Sequence, residues 1–378
     1  MNFTTMPATG DRLSALGLGC MRLPVTAGDA IDLPKAKAMV DAALAGGINY
    51  FDTAYIYHNQ QSESFLGQAL TDYPRESFRL ATKLPIWLVR QKEDVQQFLD
   101  TQLHRCRTGY FDYYLIHDLS ASRFETVTKL GVYDLLTEQK RRGVIRNLGF
   151  SFHDKAPVLE AILNRYHWDF VLLQINYLDW FLYDAKELYH IAARHGVPIF
   201  VMEPVRGGAL ANLPPETHRL LQAAGSGASG ASIALRFAAQ LEHVKVVLSG
   251  MSSLEQLKEN IGVFSAPDLR LTPGENDAVN QVVQAMGQAG TVPCTGCRYC
   301  MDCPFGVDIP WMFEIYNTYK LVGGLTTAHR KYTEMTPASY RAGACTACGA
   351  CVSACPQGIE IPAMMTEIHR LFAGSGTR

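Results

Sequence analysis

Eight of the ten cysteines fall after position 293, in two cassettes, CTGCRYCMDCP from Cys294 and CTACGACVSACP from Cys345. The first spaces Cys294, Cys297, Cys300 and Cys303 as C-x2-C-x2-C-x2-C-P, and the second spaces Cys345, Cys348, Cys351 and Cys355 as C-x2-C-x2-C-x3-C-P. Three thiolates on one tight turn can grip three corners of an iron-sulfur cube. Zinc and disulfides are the competing readings. Zinc sites usually set two C-x2-C pairs far apart, and disulfides do not suit a cytosolic chain, so two [4Fe-4S] clusters are expected. Four other side chains could do a different chemistry: Asp52 and Tyr57 in FDTAYIYHN, Lys83 in ATKLP and His117 in YFDYYLIHD. Singly, a loop tyrosine commonly packs, and a lone histidine is more often a satisfied core residue than a catalyst. An interior lysine, however, needs an anionic partner, and Asp52 is the acid that adjacent strands would bring to it. Taken together, the four make a candidate functional constellation.

In two-cluster ferredoxins the fourth ligand of each cube comes from the other cassette. Cys294, Cys297, Cys300 and Cys355 are therefore assigned to one cluster, and Cys345, Cys348, Cys351 and Cys303 to the other. The interval before Cys303 is one residue shorter than in the usual bacterial run. Each cassette leads into a similar tail, PFGVDIP or PQGIEIP, and FEIYNTYKLVGG between them reads as a helix. The repeat resembles the pseudo-symmetric dicluster ferredoxin domain. Cys20 and Cys106 are the only cysteines upstream, an asymmetry that marks a domain boundary, drawn between 288 and 289.

The remaining elements must position the other four residues. A chain of 378 residues, 48% of them hydrophobic, can bury a large core and still carry a small second domain. Lys+Arg 34 against Asp+Glu 36 leaves no basic footprint for nucleic acid or anionic lipid. The N-terminus lacks a basic start and apolar run, no stretch is long enough to span a bilayer, and a cytoplasmic protein is expected. Eight β-rich runs alternate with helical patterns: LSALGLGCM, INYFDTA, FRLATK, YFDYYLIH, VIRNLGFS, DFVLLQINY, VPIFVME and VKVVLSG. In LPKAKAMVDAALAGG, apolar residues recur at helical spacing and a glycine pair supplies the stop. Such alternation fits an α/β fold, a (β/α)8 TIM barrel over residues 1–288, followed by a small α+β dicluster ferredoxin-like domain over 289–378. A doubly wound sheet is the alternative, but no G-x-G-x-x-G opens a helix after the first strand. AAGSGASGAS lacks the Lys of a phosphate loop and reads as a surface loop leading into a helix at Ser229.

Chemistry in such a barrel sits where strands end on the C-terminal face, and Asp52, Tyr57, Lys83 and His117 all fall at such ends. FDTAYIY, ATK and LIH, in that order, resemble the Asp, Tyr, Lys and His tetrad of the aldo-keto reductases. The likeness extends from GLGCMRLP through LQINY and MEPVRGG to LSGMSSLEQLKEN, and the cassettes narrow it to the branch fused to a dicluster ferredoxin. The resemblance implies hydride transfer between a nicotinamide and a small carbonyl or alcohol substrate. Tyr57 would be the general acid, Lys83 its cation, Asp52 the holder of that cation and His117 the group orienting the carbonyl oxygen. It further implies Met21 as a cofactor contact, Ser151 and Gln174 near the carboxamide, and Pro204, Val205, Arg206 and Gly207 near the pyrophosphate. Gly250, Met251, Ser252, Gln256 and Asn260 would meet the adenosine end. This chain departs from the family pattern in having Phe152 after Ser151, Met202 where many relatives stack an aromatic, and Ser253 where a basic residue reads a 2'-phosphate. NADPH is implied, with NADH as the alternative, and Lys258 or Arg206 could replace the missing base. Arg22 could face an anionic substrate group or simply lie along the strand end with its head in water.

Hydride transfer moves two electrons, whereas a cluster moves one, so the motifs do not establish a wire between them. Three roles for the clusters follow: holding the C-terminal domain together, exchanging electrons with a redox protein partner, or feeding single electrons to a substrate in the barrel. A second class of function is a nicotinamide-binding redox sensor or electron-transfer subunit with vestigial reductase activity.

Overall fold

A computed structural model describes residues 1–373, apart from Asp29, Ser226, Asp302 and the side chain of Val322. The chain forms two compact units, one of residues 1–205 with 231–271, the other of residues 206–230 with the chain from Thr272 onward. The second unit thus takes in residues 206–230 and 272–288 from upstream of position 289, with the helices Pro215–Gln222 and Pro273–Gln288.

The first unit opens with an antiparallel hairpin, β1 (Phe3–Thr5) and β2 (Arg12–Ser14), and continues into eight parallel strands. These are β3 (Leu16–Gly19), β4 (Tyr50–Asp52), β5 (Arg79–Leu84), β6 (Phe111–Leu119), β7 (Ile145–Phe152), β8 (Phe170–Gln174), β9 (Ile199–Met202) and β10 (Val244–Ser249). The barrel closes because β10 pairs with β9 on one side and with β3 on the other, with Ser249 opposite Leu18. That closure excludes the doubly wound alternative. Each expected run marks one barrel strand, with β5, β6 and β7 running one or two residues past it, but the first is divided. Leu13 and Ser14 belong to β2, where Asn49 Oδ1 accepts from Ser14 N–H at 2.7 Å, and the barrel strand begins only at Leu16.

Alternation along the strands builds two layers. One face, including Leu18, Phe51, Leu80, Ile116, Phe150 and Val171, packs into the main buried core that the surrounding apolar helix faces complete. The other face fills the barrel with Tyr50, Ala81, Tyr113, Leu115, Phe170, Phe200 and Val246, and Met6 and Leu13 of the hairpin region join this cluster. Tyr50 meets Tyr113 at 5.1 Å, Tyr113 meets Phe170 at 5.2 Å and Phe170 meets Phe200 at 4.8 Å between ring centroids. Room for these rings comes from glycines. A Cβ at Gly149 would lie 2.6 Å from both the Phe170 ring and its carbonyl oxygen, and one at Gly17 would lie 2.6 Å from Leu248 Cδ2 and 3.1 Å from Tyr50. Two residues beyond Tyr50, Ala81 and Leu115 the same inward face presents Asp52, Lys83 and His117. The apolar plug therefore ends where the polar mouth begins.

Local signals fix the crossovers. Asp32 accepts from Lys35 N–H at 3.3 Å to cap helix Leu33–Ala45, and Gly47 at φ 87° turns the chain out of it. The helix expected at Ser229 runs from Gly230 to Ala239.

In the second unit, helices Ile309–Val322, Leu325–Thr333 and Ile361–Ala373 bury Met312, Phe313, Tyr316, Met365, Ile368 and Phe372 in one core. The two tails match bond for bond. Gly306 N–H donates to the Cys303 carbonyl at 3.0 Å and Gly358 N–H to that of Cys355 at 3.1 Å. Val307 and Ile309 in one tail, and Ile359 and Ile361 in the other, enter the shared core. Among the described residues no strand follows Ser249, and no helix is long and apolar enough to cross a membrane.

Candidate active site and cysteine cradles

The ends of β4, β5 and β6 bring the tetrad together. Register sets Asp52 beside Ala81 and Lys83 beside Leu115, so consecutive inward positions climb the tilted barrel toward one side of its mouth. Lys83 is 1% exposed, and its Nζ donates to Asp52 Oδ1, to the Thr53 carbonyl at 2.7 Å and to Tyr57 Oη at 3.2 Å. Three acceptors for three ammonium hydrogens satisfy a cation that could not otherwise be buried. Burial pushes the Asp52 carboxyl up, and the Lys83 charge opposes it. Its Oδ2 is buried without a hydrogen-bond partner.

His117 is buried, with its ring 6.0 Å from that of Tyr57 and 5.1 Å from that of Trp87. Burial, then the charge of Lys83, holds its pKa well below the usual imidazole value, so the ring is neutral at physiological pH and carries a single N–H. β6 does not stop at His117. It runs on to Leu119 through Asp118, whose φ of 57° breaks the register with β7. Asp118 N–H donates to Ser151 Oγ at 2.7 Å, which places Ser151 beside the histidine.

A second polar chain crosses the opposite side of the mouth. Gln174 Nε2 donates to Asp179 Oδ2 at 2.7 Å, Asn176 Nδ2 donates to the same oxygen at 2.6 Å and to the Glu203 carbonyl at 3.1 Å. Glu203 pairs with Arg22 at 3.2 Å, the Arg22 stem covers Gly250, and the Arg22 carbonyl accepts from Ser252 Oγ at 2.8 Å. Arg22 is therefore ion-paired, not a head trailing in water. Ser252 N–H donates to Gln256 Oε1 at 2.8 Å, and Ser253 caps the helix Leu254–Ser265. Met251 is buried, and Asn260 is buried with its amide on Ser249 Oγ at 3.0 Å. Phe152 lies in the layer outside the barrel, whereas Met202 packs on the interior aromatics.

In the second unit, one cavity is lined by Cys303 together with Cys345, Cys348 and Cys351, the four assigned to one cluster. The Cys297, Cys294 and Cys355 sulfurs all act on Cys300, which gathers the other four. Burial and these sulfurs push the Cys300 thiol up to about 12, a repulsion that iron's positive charge would offset. Gly296 N–H donates to Cys294 Sγ, and Ala347 N–H to Cys345 Sγ, each at 3.4 Å. Among the described residues no three His, Cys, Asp or Glu side chains close on a single ion; the thiols gather in two sets of four instead. Donor chemistry and grouping both fit iron-sulfur cubes. Arg206 and Gly207 also fall in this unit. Arg206 is buried, and Gly207, at φ 64°, lies so close to the Thr295 carbonyl that a Cβ would sit 2.1 Å from its oxygen.

Residues 15–284 match the Aldo/keto reductase family, and residues 293–360 match the 4Fe-4S dicluster domain. The chain belongs to the aldo/keto reductase family. Among its relatives, L-galactose dehydrogenase of Arabidopsis thaliana is 26% identical over 68% of this chain and 86% of that protein. A probable voltage-gated potassium channel subunit beta of Oryza sativa is 24% identical over 75% of this chain and 97% of that one. The holo form of an aldo-keto reductase from Bacillus halodurans superposes with a TM-score of 0.63 at 27% identity, over 75% of this chain and 96% of that one. Asp52, Tyr57, Lys83 and His117 lie within the part that matches the reductase family. Reading the sequence missed Glu203, Trp87 and the part played by His58. His58 stands in the same FDTAYIYHN stretch as Tyr57, but nothing in chain order says that its ring turns back toward Leu23, as it does at 3.1 Å.

Proposed function

We propose that the barrel reduces a small carbonyl compound to an alcohol with a nicotinamide cofactor, NADPH in preference to NADH. The observation that carries this reading is the Tyr57 hydroxyl held 3.2 Å from a fully buried lysine ammonium that Asp52 anchors. Bound nicotinamide would supply the hydride. The protein's part is the proton. A phenol of ordinary pKa, about 10, is a sluggish donor, and the Lys83 ammonium stabilises the phenolate left behind when Tyr57 protonates the substrate oxygen. Neutral His117 donates its N–H to that oxygen and fixes its direction, a role worth several kcal/mol when charge develops there. Met21, Ser151, Gln174, Pro204, Val205 and the segment Gly250–Ser252 with Gln256 are the proposed cofactor contacts on the barrel. Asn260 would act through Ser249, which it holds.

Two [4Fe-4S] clusters, cross-ligated as Cys294, Cys297, Cys300, Cys355 and Cys345, Cys348, Cys351, Cys303, are proposed for the C-terminal unit. They hold that unit together or exchange single electrons with a redox protein, because a hydride carrier does not split its electron pair without help. A cytoplasmic setting is proposed to keep these thiols reduced.

One observation favours a second reading, a nicotinamide-binding sensor or subunit: the family likeness reaches a channel subunit. Tyr57→Phe separates the two. Turnover of simple aldehydes that falls at least a hundredfold in the variant, with NADPH binding unchanged, supports the reductase. Tight binding of NADPH by the wild type without turnover would establish the sensor instead.

A further inference from the structure

Tyr57 is followed by His58, Asn59 and Gln60, with φ of 50°, 51° and 68°. A non-glycine residue in the left-handed region is strained, and such strain persists only where surrounding contacts over-determine it. The His58 ring provides those contacts. Its Nε2 accepts from Leu23 N–H at 3.1 Å, and the ring also hydrogen-bonds the backbone of Cys20. Cys20 N–H is committed to the Asp52 carbonyl at 2.8 Å, so the ring's partner is the Cys20 carbonyl. An imidazole that accepts with one nitrogen and donates with the other carries one proton, here on Nδ1. Half-burial, which holds its pKa below the usual imidazole value, favours that neutral form. The segment so gripped, Cys20–Leu23, carries Met21 and the Arg22 that meets Glu203 and Ser252.

We propose that His58 is a positioning residue: as a neutral Nδ1–H imidazole it ties the turn carrying Tyr57 to the loop after β3, so that the proton donor and the cofactor side of the barrel mouth keep one geometry. This role in turnover rests on the reductase reading; the clamp itself does not.

The test has two arms on the intact iron-loaded protein. Nitrogen-15 NMR of labelled histidines should show His58 with Nδ1 protonated and Nε2 bare at neutral pH. A proton on Nε2, or an imidazolium, overturns the clamp. In the second arm, His58→Gly accepts the left-handed backbone but loses both ring bonds. It should keep its iron content and thermal midpoint while kcat for NADPH-dependent reduction of 4-nitrobenzaldehyde falls about tenfold or more. His58→Gln, whose amide can still accept and donate, should recover much of that loss. An unchanged kcat in His58→Gly, or a Gln variant no better than the Gly one, overturns the positioning role. If the wild type binds NADPH but turns nothing over, the reductase reading fails, and the tautomer alone then decides the clamp.

Discussion

Lys83 and Asp52 show how one residue's burial dictates its neighbours. Removing either partner strands a charge in the barrel. Lys83→Met should therefore cost about 3–5 kcal/mol in denaturant unfolding, while the double change with Asp52→Asn should recover part of it. A lysine variant as stable as the wild type would show that Asp52 is held protonated, which burial alone favours. The three acceptors around Nζ also explain why arginine is a poor replacement: a planar fork cannot aim at Asp52, the Thr53 carbonyl and Tyr57 Oη together. Cys20 and Cys106, by contrast, are buried thiols whose pKa burial raises, which makes them inert packing groups.

Strands and loops set where these residues can stand. The barrel interior tolerates its aromatic layer only because Gly17 and Gly149 leave space, but the two glycines are not equivalent. A methyl at Gly149 meets the backbone oxygen of Phe170, whereas one at Gly17 meets the mobile end of Leu248. Gly149→Ala should thus cost about 1–3 kcal/mol, and Gly17→Ala less, in the same unfolding measurement. A reversed order would mean that β7 and β8 can slide apart more easily than Leu248 can rotate. The cassettes use the left-handed region in complementary fashion. Gly296 and Arg298 take it in the first, and Ala347 and Gly349 at the matching positions of the second, so each cassette has one glycine and one strained substitute. Ala347→Gly should be neutral or stabilising for cluster retention.

For the whole molecule, the proposed cross-ligation would make the two cassettes one folding unit. Cys355→Ala should remove the cluster of the first cassette, and Cys303→Ala that of the second, even though each lies outside the triplet it serves. Iron content and paramagnetic resonance of the two variants check this. A loss confined to the variant's own cassette would show that each cassette closes its cube alone. Acid stability is a second property of the whole chain. Burial lowers the folded-state pKa of His58, His117 and His153 below 6.5, so the unfolded chain takes up protons first as pH falls. Stability is therefore complete above pH 6.5 and declines as pH drops toward the folded-state values. Denaturant midpoints measured across that window, with His153→Gln flattening the slope, provide the check.

Chain order alone was enough for the eight barrel strands and for marking the polar strand ends and the two runs of cysteines, because each is written in short-range terms: period-two alternation, residue types at strand ends, and cysteine spacing. Even there, the division of LSALGLGCM between β2 and β3 escaped, since the break at Ala15 depends on Asn49, a distant partner. Tertiary structure alone decided which polar groups meet. The Arg22–Glu203 pair joins positions 181 apart, and the His58–Leu23 bond joins positions 35 apart. No local rule fixes such distances, because closing a barrel brings together the ends of strands that the chain visits far apart. Asn260 turns inward onto Ser249, and residues 206–230 group with the C-terminal unit, and neither has a signature in composition or period.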